Sequence, residues 1–243
     1  MKKLTMLTAW DYPTAKVLEE AGIDYILVGD SLAMTVLGHP NTKSITLENM
    51  MYHTQAVSKG AVKTPIIADL PIGTYDNPKD ALINANKLLA VGATMVKIEG
   101  NNPEVVKALI SNNIQVVGHL GLLPQSAEKF TVVGREQEIA EKIKHDARQL
   151  SDLGISLLVL ECIPVNLAKE ITEGIATPTI GIGAGMYTTG QVLVLADIIG
   201  LSDKKLKMVK QYADVKAIIR HAVLEYIKDV EKGDFPKEEN SFV

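Results

Sequence analysis

One cysteine, Cys162, stands in the 243-residue sequence. No internal disulfide can form, which fits a reducing compartment and removes disulfide-stapled scaffolds from consideration. No histidine lies near Cys162 in sequence, so it reads as small apolar filler rather than a thiol nucleophile. Long apolar runs are absent: nothing approaches the ~18 residues that span a bilayer, and no membrane partner is expected. Basic charge is not in excess. A net charge of -4 argues against nucleic-acid and anionic-membrane partners, which favour a basic face. An anionic small molecule stays open, because a local lysine or metal ion reverses the sign inside one pocket. The glycines form neither GxGxxG nor a Walker loop with its lysine. There is no Ser/Gly-rich linker and no abrupt change of composition. The chain reads as a single domain over 1–243, closed by a C-terminal helix and a short polar tail, KGDFPKEENSFV. The opening MKKLTMLTAWDYP carries two lysines and a short apolar run but reaches Asp11 without a small-residue cleavage site, so a cytoplasmic location is expected.

What the sequence does contain is an alternation of short apolar runs with longer amphipathic ones. Candidate strands lie at 4–11, 25–30, 65–70, 95–100, 114–119, 156–162, 177–183 and 195–201. Their near-continuous hydrophobicity suits parallel strands covered on both faces. Pro13, Pro78 and Pro103 sit where helices begin, the latter two behind Asn77 and Asn102 as N-caps. TLENMMYHTQAVSKG puts Leu47, Met50, Met51, Thr54 and Val57 on one helical side and stops near Gly60. REQEIAEKIKHDARQLSDLG spaces Ile139, Ile143, Ala147 and Leu150 likewise, and a last helix covers about 213–232. Eight strands alternating with helices at this length predict an α/β fold of the (βα)8 TIM-barrel type. A doubly wound open sheet is the runner-up.

Strand ends favour the barrel. YILVGDS runs into Asp30, TPIIADL into Asp69, TMVKIEG into Glu99, QVVGHLG into His119 and LLVLECIP into Glu161. An open sheet feeds its site from a few strands at one switch point, whereas a barrel gathers all its strand ends at one mouth. Any one of these acids could be a helix N-cap. Together, Asp30, Asp69 and Glu99 would repel one another at a single mouth unless a hard divalent cation such as Mg2+ joined them. Lys97 shares the face of Glu99 by strand alternation and suits an anionic substrate. Ser31 could donate to a substrate carboxylate. Glu161, ending an apolar run across the barrel from strands two and three, suits a general base if partly desolvated. His119 is either a lining residue of the site or a hydrogen-bonded core imidazole. GIGAG at 181–185 is either an anion cradle at a helix start or a tight turn. This set suits 2-oxo acids, whose carbonyl a chelated metal polarises so that a base can take the neighbouring proton.

The strings LVGDSLAMTVLGH, YHTQAV, IADLP, MVKIEG, GHLGLLPQS, LLVLECIPVNLA and IGIGAG, in this order and spacing, resemble the ketopantoate hydroxymethyltransferase family. The resemblance runs from TAWDY at 8–12 to FPKEENSF at 235–242. It implies a (βα)8 barrel of the phosphoenolpyruvate/pyruvate-type metal-enolate superfamily. The implied reaction moves a hydroxymethyl group from 5,10-methylenetetrahydrofolate to 3-methyl-2-oxobutanoate, giving 2-dehydropantoate on the route to pantothenate and coenzyme A. A related metal-dependent C–C lyase acting on a 2-oxo acid is the alternative. The resemblance also implies that Asp30, Asp69 and Glu99 hold Mg2+ or another divalent cation. Asp30, Ser31, Asp69 and Lys97 would contact the oxo acid, Glu161 would be the base, His119 would line the site, and the assembly would be a homodecamer. The stretch AEKFTVVGR after Ser126 departs from the family pattern, being shorter and without a Gly-Gly pair, which bears on the folate donor rather than on the acids.

Overall fold

The computed structural model describes residues 2–203 and 205–242. Two compact units emerge, one ending at Val194 and one beginning at Leu195. In the first, eight parallel strands close into a barrel in chain order, with the last pairing to the first. The strands are β1 (Leu4–Thr8), β2 (Tyr25–Val28), β3 (Ile66–Asp69), β4 (Met95–Glu99), β5 (Val116–Gly121), β6 (Leu157–Glu161), β7 (Thr179–Ile182) and β8 (Gly190–Leu193). The first seven fall within or overlap the runs expected from the sequence. The eighth does not: 195–201 was expected as a strand, yet Leu195–Ile198 forms a short helix and β8 lies upstream. Backbone proximity decides this. A Cβ on Gly190 would come within 2.6 Å of the Leu4 carbonyl oxygen, so β8 enters against β1 at the one residue that fits. Hydropathy does not record such a contact.

Between the strands run α1 (Tyr12–Glu20), α2 (Leu32–Thr35), α3 (Leu47–Gly60), α4 (Pro78–Ala90), α5 (Pro103–Ser111), α6 (Gln137–Asp152) and α7 (Val165–Gly174). Their starts follow the expected chemistry. Asn77 and Asn102 accept from the N–H groups of Asp80 and Val105, each with a proline next in the chain. Thr46 and Asn49 form a reciprocal capping box at α3, whose buried residues Leu47, Met50, Thr54 and Val57 are those the periodicity picks out. Met51 is only half-buried and Ile139 of α6 is exposed. Residues 183–189 join β7 to β8 without a helix. GIGAG is therefore a tight turn, with Gly183 and Gly185 at positive φ, and no helix start follows it to hold an anion.

The barrel interior is filled, not hollow. Met6, Leu27, Ile67, Met95, Val117, Leu157, Val159, Ile180 and Val192 form one buried cluster to which every strand contributes. Two residues further along the same strand faces stand Asp69, Lys97, His119 and Glu161, with Glu99 two beyond Lys97. The period of two that seals the core thus lifts these polar groups onto its C-terminal rim.

The second unit contains α8 (Leu195–Ile198), α9 (Val215–Lys232) and a 3-10 turn at Glu238–Asn240. The Asp214 side chain caps α9 at its start, and Gly233 ends it in the left-handed conformation, φ 73. No residue of α9 is buried. Among the described residues no helix is long and apolar enough to cross a membrane.

Candidate active site

Asp30, Asp69, Lys97, Glu99, His119 and Glu161 are all at least nine-tenths buried and meet at the C-terminal rim. The structure brings together the strand-end acids that the sequence singles out. Asp69 is tied twice: Lys97 Nζ donates to Oδ1 at 2.9 Å and the Asp30 N–H donates to Oδ2 at 3.0 Å. Asp30 is out of phase with the inward-facing residues of β2 and enters from the turn after the strand. Gly29 packs close beside it: a Cβ there would stand 3.2 Å from Ser31 Oγ and at ordinary contact, 3.6 Å, from Asp69 Oδ2. Ser31 itself is half-buried at the start of α2 and makes no side-chain capping bond.

His119 stands between two acids, with Nδ1 3.3 Å from Glu99 Oε1 and Nε2 3.2 Å from Glu161 Oε2. Both contacts are angled away from ideal hydrogen-bond directions, so they act as charge pairs. Cys162, after Glu161, is at φ 47, a strained conformation for a residue with a side chain. Burial pushes its thiol up to about 11, aided by the Glu161 charge, which fits a packing role better than a nucleophilic one.

Electrostatics follow from crowding. Burial and the Asp69 charge push Asp30 up to about 7, against the pull of Lys97. Burial opposes the charge on Lys97, but Asp69, Asp30 and Glu99 outweigh it and hold the ammonium above its usual range. Burial also opposes charge on Glu99, yet His119 and Lys97 prevail and keep it below the usual carboxylate range. Burial would lower His119, but Glu161 and Glu99 together lift the imidazolium to about 9. The site therefore holds two fixed cations within a ring of four acids.

Two further residues complete it, neither anticipated from the sequence. Gln125, 2% exposed, bridges Asp30 and Glu99, and Tyr75 holds Gln125. Gln125 lies in the motif GLLPQS, where an amide following an apolar stretch was the available signal. Tyr75 gave none, because it reaches the site from the loop between β3 and α4.

The family model described as ketopantoate hydroxymethyltransferase matches residues 1–238. The chain belongs to this family. A 3-methyl-2-oxobutanoate hydroxymethyltransferase of Thermoanaerobacter sp. (strain X514) is 49% identical, the match spanning 99% of this chain and 91% of that protein. One of the same name from Pyrobaculum aerophilum is 48% identical over 96% of this chain and 92% of its own length. Among solved structures, phosphoenolpyruvate phosphomutase from Streptomyces platensis subsp. rosaceus superposes with a TM-score of 0.64 at 12% identity, covering 96% of this chain and 84% of that one. A phosphonopyruvate hydrolase solved with oxalate and Mg++ gives 0.64 at 11% identity, covering 98% and 88%. At such identities these neighbours show that this chain shares their barrel fold.

Proposed function

We propose that this chain transfers a hydroxymethyl group from 5,10-methylenetetrahydrofolate to 3-methyl-2-oxobutanoate, giving 2-dehydropantoate for pantothenate and coenzyme A synthesis. The observation that carries the reading is the unbroken contact path Lys97–Asp69–Asp30–Gln125–Glu99–His119–Glu161 across the rim. Family membership supports the substrate pair.

Asp30, Asp69 and Glu99 are the proposed holders of Mg2+ or another divalent cation. Among the described residues no three His, Cys, Asp or Glu side chains already stand as a metal cage. The donors nonetheless fit, because Mg2+ keeps several waters and takes one or two carboxylates rather than a full protein cage. Burial first, and then the neighbouring Asp69 and Glu99 charges, raise the Asp30 carboxyl, and a cation held there would offset that like-charge part. When bound, such a cation polarises the carbonyl of a 2-oxo acid and acidifies its C3–H.

The side chains do the rest. Lys97, locked by Asp69, presents a fixed positive charge to the substrate carboxylate, and the Ser31 hydroxyl is available to donate to it. The Glu161 side chain keeps 11% exposure against 4% for Glu99 and 2% for Asp69, so it is the acid best placed to meet a substrate atom. As the proposed base it takes the C3 proton, while His119 steadies its orientation. The loop after β5 borders a cavity of about 460 Å³, lined in part by Gly121, Leu122, Ser126 and Lys129, which offers room for the folate donor. The exposed apolar stripe of α9 supports a homo-oligomer, and the single cysteine supports work in the cytoplasm.

The test is turnover of the oxo acid and methylenetetrahydrofolate with Mg2+, with and without chelator, beside C3 proton exchange in D2O. Glu161→Gln should bind the oxo acid but exchange its C3 proton on the order of 10³-fold more slowly. Undiminished exchange would remove Glu161 from its role, and turnover indifferent to chelator would remove the cation.

A further inference from the structure

We infer that Gln125, held by Tyr75, is a positioning residue for the acid set, fixing which carboxylate oxygens of Asp30 and Glu99 are left to take a divalent cation. This rests on the cation reading above and adds to it the residues that prepare the site.

Each group of Gln125 is committed. Its Nε2 donates to Asp30 Oδ2 and to the Leu70 carbonyl, both at 3.0 Å. Its Oε1 accepts from the Tyr75 hydroxyl at 2.6 Å, and its backbone N–H donates to Glu99 Oε2 at 3.1 Å. The orientation of the amide follows from its partners. The Leu70 oxygen can only accept, as does Asp30 Oδ2 in the ionised carboxylate, so they require the NH2 group. The Tyr75 oxygen accepts from the Glu99 N–H at 3.3 Å, which leaves its own hydrogen for Gln125 Oε1. Turning the amide over would set oxygen against oxygen twice.

The oxygens of the three acids are then accounted for. Lys97 and the Asp30 N–H occupy both oxygens of Asp69. Gln125 occupies Glu99 Oε2, and His119 faces Oε1. Gln125 ties Asp30 Oδ2, while Oδ1 makes no hydrogen bond among the described residues. Of these three acids, Asp30 Oδ1 alone has no protein partner among the described residues and is aimed by an amide that Tyr75 holds in place, while the partnered oxygens of Asp69 and Glu99 each keep a second lone pair for a cation. An oriented donor costs less reorganisation on ligand binding than a free carboxylate would.

Mn2+ binding, followed by electron paramagnetic resonance and calorimetry, tests this without turnover. Gln125→Leu removes the donor at similar volume and should weaken Mn2+ about tenfold, the loss of one charge-assisted hydrogen bond. Tyr75→Phe should weaken it less, about threefold. The double variant should bind no more weakly than Gln125→Leu alone, because Tyr75 acts through Gln125. Mn2+ affinity unchanged or tighter in folded Gln125→Leu overturns the inference. If that variant does not fold, unchanged affinity in Tyr75→Phe overturns it equally. Failure of the underlying reading looks different: the unsubstituted protein would not bind Mn2+, or Asp30→Asn would bind it equally well.

Discussion

Gly121, at the end of β5, sets the position of the proposed base through its backbone. It lies opposite Glu161 in the β5–β6 register and has φ 100. A Cβ there would fall 2.2 Å from the Glu161 carbonyl oxygen and 2.7 Å from Ile163 Cγ2. Neither neighbour is the loose end of a side chain, so Gly121→Ala must push β6 aside. Backbone strain and overlap together should cost at least about 2 kcal/mol of stability and most of the activity. Thermal unfolding and steady-state turnover check this, and an alanine variant with normal values for both would show that β6 yields freely. Residues of this kind explain what the sequence left unread. Asp69, Glu99, His119 and Glu161 were legible because each stands at the end of an apolar run in the sequence, and Lys97 because it shares the face of Glu99 two residues on. Gln125 and Tyr75 were not, because loops bring them in and no period marks them.

At the scale of elements, one acid ties down a connection between a helix and a strand. Glu19, in the last turn of α1, accepts the N–H groups of Val62, Lys63 and Thr64 at 3.3, 2.7 and 2.7 Å, pinning the connection from α3 to β3. Those backbone donors hold its carboxyl below the usual carboxylate range. A depressed folded-state pKa contributes stability that is present above the ordinary value of 4.5 and is lost as pH falls through the lower, folded-state value. Glu19→Gln should therefore melt at a lower temperature than the unsubstituted protein at pH 7. The gap should narrow as both are taken below pH 4.5. A gap independent of pH would show that shape, not charge, holds the connection. The caps Asn77 and Asn102 were readable in advance because their chemistry is local. The start of β8 was not, since it depends on how closely Gly190 approaches a strand far away in sequence.

For the molecule as a whole, α9 presents the remaining question. Ile218, Tyr226 and Val230 form one row along it and Ile219, Val223 and Ile227 the next, each between 44% and 64% exposed. The sequence places a last helix at about 213–232 but could not say what its apolar face meets. A helix of this length gains most of its stability from packing such a face, and a contiguous apolar stripe in water favours association. Copies of the same chain are the proposed occupant, in keeping with the homo-oligomer proposed above. If so, Ile219→Asp combined with Val223→Asp places two charges in a desolvated contact, where unpaired charge is strongly unfavourable. Light scattering coupled to size exclusion should then show the unsubstituted protein several chains in mass and the double variant smaller. The barrel should persist in that variant, with its Mn2+ binding intact, because every acid of the rim lies in the unit that ends at Val194. An unsubstituted protein that runs as one chain, or a double variant of unchanged mass, would assign the stripe to something other than self-association.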